Sequence, residues 1–272
     1  MLAQNQSDAR GGFFETLLQF VGKGKVALLE AYFDESERAN GLLCVAGYVF
    51  AAPQARKLTK EFRAAFGSYG GFHMKELVHK RKGYKGISDK ERARLVKRAV
   101  DIVNKRFTYG VAITVNRHEY ETQAPRWIRG FKNAYPYLCH MAMLAVATLA
   151  EKHNDPGPIT YIFEAGNPFE AEARDAVKQV ATTPELKRLY RHSGDAFLPK
   201  ADAVPMQAAD LLSWETAKFK VETEDENLRP IRESLLSLLA ANPKRYHVSF
   251  CGGATLTRTL KKYGQLHPKS EG

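Results

Sequence analysis

Cysteine is scarce in this chain of 272 residues: Cys44, Cys139 and Cys251 are the only three, and they lie far apart in apolar surroundings. No Cys-x-x-Cys pair and no histidine at zinc spacing accompanies them. A disulfide framework and a zinc ribbon are therefore excluded, and a reducing, cytoplasmic setting is expected. Long apolar runs are missing too. The most hydrophobic stretch, residues 138–150, is interrupted by His140 and Thr148 and is shorter than the roughly 20 residues of a membrane span, so it predicts a buried helix. No charged segment followed by an apolar core and a small-residue cleavage site opens the chain, so no secretory leader is expected. Internal repeats and low-complexity tracts are absent, and no shift in composition marks a second domain. Acids are the scarcer charge, with 30 Asp and Glu against 41 Lys and Arg, a formal +11. Such an excess concentrates polyanions, which makes nucleic acid the leading partner class; the alternative is a basic but inert surface.

What is present is a chain 44% hydrophobic, long enough to bury a substantial core. Residues 1–24 carry a short amphipathic pattern of Phe13, Phe14, Leu17, Leu18 and Val21 and are treated as an appendage. Residues 26–33 and 42–50 predict two strands joined as a hairpin through a polar connection, with Pro53 closing the second. Ser88-Asp-Lys-Glu91 is a capping box, followed by Leu95, Val96, Ala99 and Val103 at helical spacing. A third strand is expected at 109–115, a helix from about Pro136 to Ala150, a fourth strand at 159–163, a helix at 171–181 and a fifth strand near 196–198. Helices after Pro205 and at 230–241 complete the series. A hairpin and third strand, then strands alternating with helices, suggest a mixed sheet covered by helices.

Three of these elements end or begin in acids: Asp34 and Glu35 after the first strand, Glu164 after the fourth, and Asp210 on a late helix. Carboxylates beside a core are costly unless paired or bound to a metal. Magnesium or manganese suits them, because hard cations take oxygen ligands. A two-metal phosphodiesterase holds its ions roughly 3.5–4 Å apart with acids from several elements. Gln207 and Asp210 share a helix face, with Trp214 one turn further on. Simpler alternatives stand beside each motif: a local turn for Asp-Glu-Ser, and a dipole-stabilised acid with a solvent-facing Gln for the helix.

"FHMKEL" adds His73 and Glu76 just ahead of a basic segment, residues 80–98, with nine Lys or Arg and two acids. With Tyr84 interleaved, it could track a phosphate backbone; a solvated helix face is the plain alternative. His73 could equally be a structural histidine. "RWIRGFK", residues 126–132, mixes aromatic and basic side chains as a base-stacking surface would.

Taken together, "YFDES", "VAGYVF", "FHMKEL", "IFEAGN" and "MQAADLLSWE" resemble the bacterial family called domain of unknown function 3800, within the ribonuclease H-like superfamily. The resemblance runs from about Tyr32 to Lys218. It implies an α/β fold with a ribonuclease H-like, mixed five-stranded sheet, antiparallel in its first three strands and flanked by helices. The domain would span 25–262 with a C-terminal helical extension, and 263–272 would be a tail. It implies Asp34, Glu164 and Asp210 as metal-binding acids, Glu76 as a further catalytic acid, and Glu35, His73 and Gln207 supporting the ligands from behind. One departure is Glu37, where many members carry Gly after the Asp-Glu-Ser. The expected function is a nuclease dependent on Mg2+ or Mn2+, with a pair of ions, in which Lys80, Arg81, Lys82 and Lys85 contact DNA or RNA. The alternative is a non-catalytic nucleic-acid-binding or defence-complex subunit. No membrane is expected as partner; a second copy of the chain or a defence-system protein is.

Overall fold

The two strands expected at 26–33 and 42–50 are realised as the hairpin of β1 (Leu29–Glu37) and β2 (Leu42–Ala51), in register from Leu29 opposite Ala51 to Glu37 opposite Leu43. The computed structural model describes residues 28–123, 131–224 and 230–252; the 1–24 appendage and the 263–272 tail fall outside the described residues. The two strands approach so closely that a Cβ on Gly47 would lie 2.1 Å from the Tyr32 carbonyl oxygen, so only glycine fits beside the last core residues of β1. Strand β3 (Tyr109–Asn116) continues the antiparallel series on β2. Strand β4 (Ile159–Glu164) pairs parallel with β1, and β5 (His192–Leu198) parallel with β4.

Among the described residues the sheet has six strands, not five, in the order β5-β4-β1-β2-β3-β6. The added β6 (Tyr246–Cys251) pairs parallel with β3 at the sheet edge. Among the described residues, the helix of the expected C-terminal helical extension is followed by this strand. Most of β6 is half-buried instead of alternating between buried and exposed, so it has no period-two signature to read.

Nine helices stand among the described residues: α1 (Ala52–Phe66), α2 (Met74–Val78), α3 (Asp89–Arg106), α4 (Arg117–Gln123), α5 (Ala134–Lys152), α6 (Glu170–Thr182), α7 (Pro184–Leu189), α8 (Met206–Glu224) and α9 (Glu233–Ala241). The Ser88 hydroxyl accepts the Glu91 amide proton at 3.1 Å, so the N-cap of α3 forms as expected. None of the described helices is long and apolar enough to cross a membrane.

Strand alternation divides the core into two layers. Leu29, Ala31 and Phe33 of β1 join Val45, Val111 and Ile113 against α5 and α6. Tyr32 joins Cys44, Ala46 and Tyr48 against α1, α3 and α8. A ladder of rings, Phe33 on Phe163 at 5.0 Å and Phe163 on Phe197 at 5.2 Å, ties β1, β4 and β5 together just before their carboxyl ends. The next residue on β1 is Asp34 and the next on β4 is Glu164.

Candidate metal centre

In an open sheet, ligands gather outside the carboxyl ends of parallel strands, at the point where the strand order turns. Here β1 is that point, because it has antiparallel β2 on one side and parallel β4 on the other. Its end supplies Asp34 and Glu35, the end of β4 supplies Glu164, and the turn after β5 supplies Lys200. Helix α8 lies against β1 and β2 and brings Asp210 and Ser213 in from above.

Asp34 is 2% exposed although it carries a carboxylate. Its Oδ2 accepts from Lys200 Nζ at 3.2 Å and from the Ser213 hydroxyl at 3.3 Å. Its Oδ1 is buried and makes no hydrogen bond. Oxygens of Asp34, Glu35 and Glu164 all lie within 4.8 Å of one another, an acidic cluster able to hold a metal ion. Glu35 follows Asp34 on the opposite strand face and is steadied there by Asn167, whose amide donates to Oε1 at 3.2 Å. The expected supporting residue Glu35 is thus a member of the cluster itself. Arg117, 2.8 Å from Glu37, holds the last residue of β1 where a glycine was the family expectation.

Asp210 stands slightly apart. Its Oδ2 accepts the Met74 amide proton at 2.8 Å, lies 3.1 Å from His73 Nδ1 and is 3.7 Å from Lys200 Nζ. One turn earlier Gln207 Oε1 accepts the Phe72 amide proton at 2.9 Å. Two acceptors three residues apart on α8 thereby clamp two alternate amides of the segment leading into α2. Gly71 has φ +100°, and a Cβ there would sit 3.0 Å from Gln207 Nε2, so this approach depends on glycine. Gln207 is not solvent-facing; it positions the "FHMKEL" segment.

Charge at the centre is partly offset by Lys200, whose ammonium reaches Asp34, Glu164 and Asp210 at 3.2, 3.2 and 3.7 Å. Burial pushes the Asp34 carboxyl well above the usual range; Lys200 opposes this, while Asp210 adds to it by repulsion and Glu164 by a side-chain hydrogen bond and, less, by repulsion. Burial also pushes Glu35 up to about 7, against the Asn167 hydrogen bond. For Asp210 burial is outweighed by Lys200, His73 and the Met74 amide, so its carboxyl sits below the ordinary range. Burial opposes the Lys200 charge, yet the three carboxylates more than offset it and hold the ammonium above the usual lysine range. Repulsion among the acids contributes to the raised values, but burial is the larger cause.

Glu76 sits on α2 with Lys82 Nζ 3.4 Å from its Oε1 and does not belong to the three-acid cluster. Lys80 is 3.1 Å from Asp89, leaving Arg81 and Lys85 as the exposed cations of the loop without a described ion pair. Tyr84 is no stacking platform: it is 1% exposed, stacked on Tyr69 at 5.0 Å, and its hydroxyl donates to the Gly71 carbonyl at 2.8 Å. In the "RWIRGFK" segment Phe131 is a buried core residue, and 126–130 lie outside the described residues. The Trp214 ring is covered by the Arg38 guanidinium, 4.0 Å from its centroid. Lys200, Ser213 and Asn167 went unseen in the sequence, because a lysine in a turn carries no spacing signal and its role arises only when three strand ends converge.

No protein-family model and no curated protein matches the chain. Residues and their geometry alone therefore carry the functional reading.

Proposed function

We propose that the chain is a divalent-metal-dependent nuclease of ribonuclease H-like fold, related to the family called domain of unknown function 3800, that hydrolyses phosphodiester bonds of DNA or RNA. The observation that carries this reading is the meeting of Asp34, Glu35 and Glu164 within 4.8 Å at the carboxyl ends of β1 and β4, around the unpartnered Asp34 Oδ1. The fold assignment is supported by the run β3-β2-β1-β4-β5, with β6 as an addition on its outer edge.

The donor set suits a hard cation: every member is a carboxylate oxygen, and an ammonium already occupies a cation's place among them. Asp34, Glu35 and Glu164 would hold Mg2+ or Mn2+, and Asp210 stands near enough to Lys200 to serve a second ion. A bound ion would supply Lewis-acid stabilisation of charge building on the phosphoryl group. The chain's own residues do the positioning. Asn167 orients Glu35, Ser213 orients Asp34, and Met74 with His73 orients Asp210. Arg81 and Lys85, on the loop following α2, offer charge to a phosphate backbone.

A screen of single-stranded and structured DNA and RNA with Mn2+ tests the reading: cleavage by the wild type and none by Asp34→Asn is expected. One observation favours the second reading, a non-catalytic nucleic-acid-binding or defence-complex subunit: the Lys200 ammonium already contacts Asp34, Glu164 and Asp210. Nucleic-acid binding that persists with no Mn2+ uptake and no cleavage would select it.

A further inference from the structure

The Lys200 ammonium sits at the focus of the acids, yet its backbone belongs to a surface turn. Pro199 to Asp202 is closed by the Asp202 amide donating to the Pro199 carbonyl at 2.9 Å, and Ala201 and Asp202 are exposed. Only the side chain goes inside, 15% exposed, among acids whose side chains are 1%, 23% and 7% exposed. A lysine head on a flexible four-carbon stem can leave such a nest without moving a strand or helix.

An ammonium and a divalent ion cannot share this small cluster of carboxylates without strong repulsion. A divalent ion would sit roughly 2.0–2.6 Å from Asp34 and Glu164 oxygens. The Lys200 nitrogen already lies 3.2 Å from one oxygen of each. Two like charges so close in a buried site repel strongly. Resting the site without any cation is costly as well, because buried carboxylates without a partner are strongly destabilising.

We propose that Lys200 is a tethered cation that fills the acidic cluster in the metal-free protein and is expelled when a divalent ion enters, an inference that rests on the metal-dependent reading above. Entry of the metal is then an exchange rather than a simple addition. A monovalent ion gains nothing by replacing an ammonium, so the exchange selects for the doubly charged ion. The lysine lowers apparent metal affinity and keeps the apoprotein folded while it waits.

The wild-type protein itself carries the test. Lys200 acylation by sulfo-N-hydroxysuccinimide acetate, followed by peptide mass spectrometry, should be slow without metal and rise several-fold on Mn2+ addition, as the amine moves to solvent. Calorimetry in parallel should show Lys200→Met binding Mn2+ about tenfold more tightly than wild type, while Lys200→Arg, which keeps the charge, stays close to wild type. Mn2+ uptake with unchanged or slower acylation, or a Lys200→Met affinity equal to or weaker than wild type, overturns the exchange and leaves the metal site standing. No Mn2+ uptake by wild type or Lys200→Met overturns both the exchange and the metal-dependent reading.

Discussion

Asp210 Oδ2 accepts the Met74 amide proton at 2.8 Å, so an acid expected only as a metal ligand also fastens α8 to the start of α2. The two roles separate by substitution. Asp210→Ala removes a charged acceptor from a buried amide and should cost about 1.5–3 kcal/mol in a urea melt. Asp210→Asn keeps an oxygen for Met74 and should cost less. If metal binding falls in both variants while only the alanine variant loses much stability, the carboxylate has both duties.

Below the acids, the ring ladder fixes where the strand ends lie. Phe163 stacks on Phe33 and Phe197 and is 1% exposed. Phe163→Ala should lower stability by about 3–5 kcal/mol, and Mn2+ affinity should fall with it even where the protein remains folded. Retained affinity at full strength would show that the ladder does not position Asp34 and Glu164.

The pH dependence of the metal-free protein has a definite sign. Glu35 has a folded pKa of about 7 against an ordinary 4.5. The folded state therefore binds more protons than the unfolded state in that window, and stability is lost as pH rises from about 4.5 to about 7. Asp34, raised by burial, acts in the same direction. Melting temperatures in chelator should decline across this range and flatten in Glu35→Gln. Mn2+ should restore stability chiefly at the upper end, where the carboxylates are ionised. A Glu35→Gln profile as steep as wild type would contradict this assignment.

Much of this architecture was legible in the sequence, for identifiable reasons. β1, β2 and β3 are buried runs bounded by polar connections, and Ser88 with Glu91 marks the start of α3. Acids at the ends of apolar strands pointed to Asp34 and Glu164, since nothing in a core explains them. β6 escaped notice because an edge strand with half-buried residues lacks a clean period. Lys200 escaped because its burial is created by three carboxyl ends and α8 arriving together, not by its neighbours in sequence. Strand alternation put Glu35 on the far face, yet one of its oxygens lies within 4.8 Å of Asp34 and Glu164 oxygens, just past the last β1–β4 pair at Phe33.

The loop after α2 is expected to meet phosphate unevenly. Lys80 and Lys82 are ion-paired with Asp89 and Glu76, whereas the exposed Arg81 and Lys85 have no described ion pair. In a filter-binding series over salt, Arg81→Ala with Lys85→Ala should make the slope of log affinity against log salt shallower by about 0.7 for each single-strand phosphate that is no longer neutralised. Lys80→Ala with Lys82→Ala should change it less. Equal slopes for both pairs and wild type would remove the loop from the binding surface.

A Mn2+ titration of chelator-stripped protein by calorimetry, comparing wild type with Asp34→Asn and Glu164→Gln, tests the metal centre most directly. Saturable binding by the wild type is predicted, and it should be lost in both variants while their circular dichroism spectra remain native. Absence of binding to the wild type, or undiminished binding by either folded variant, would contradict a metal centre at the ends of β1 and β4.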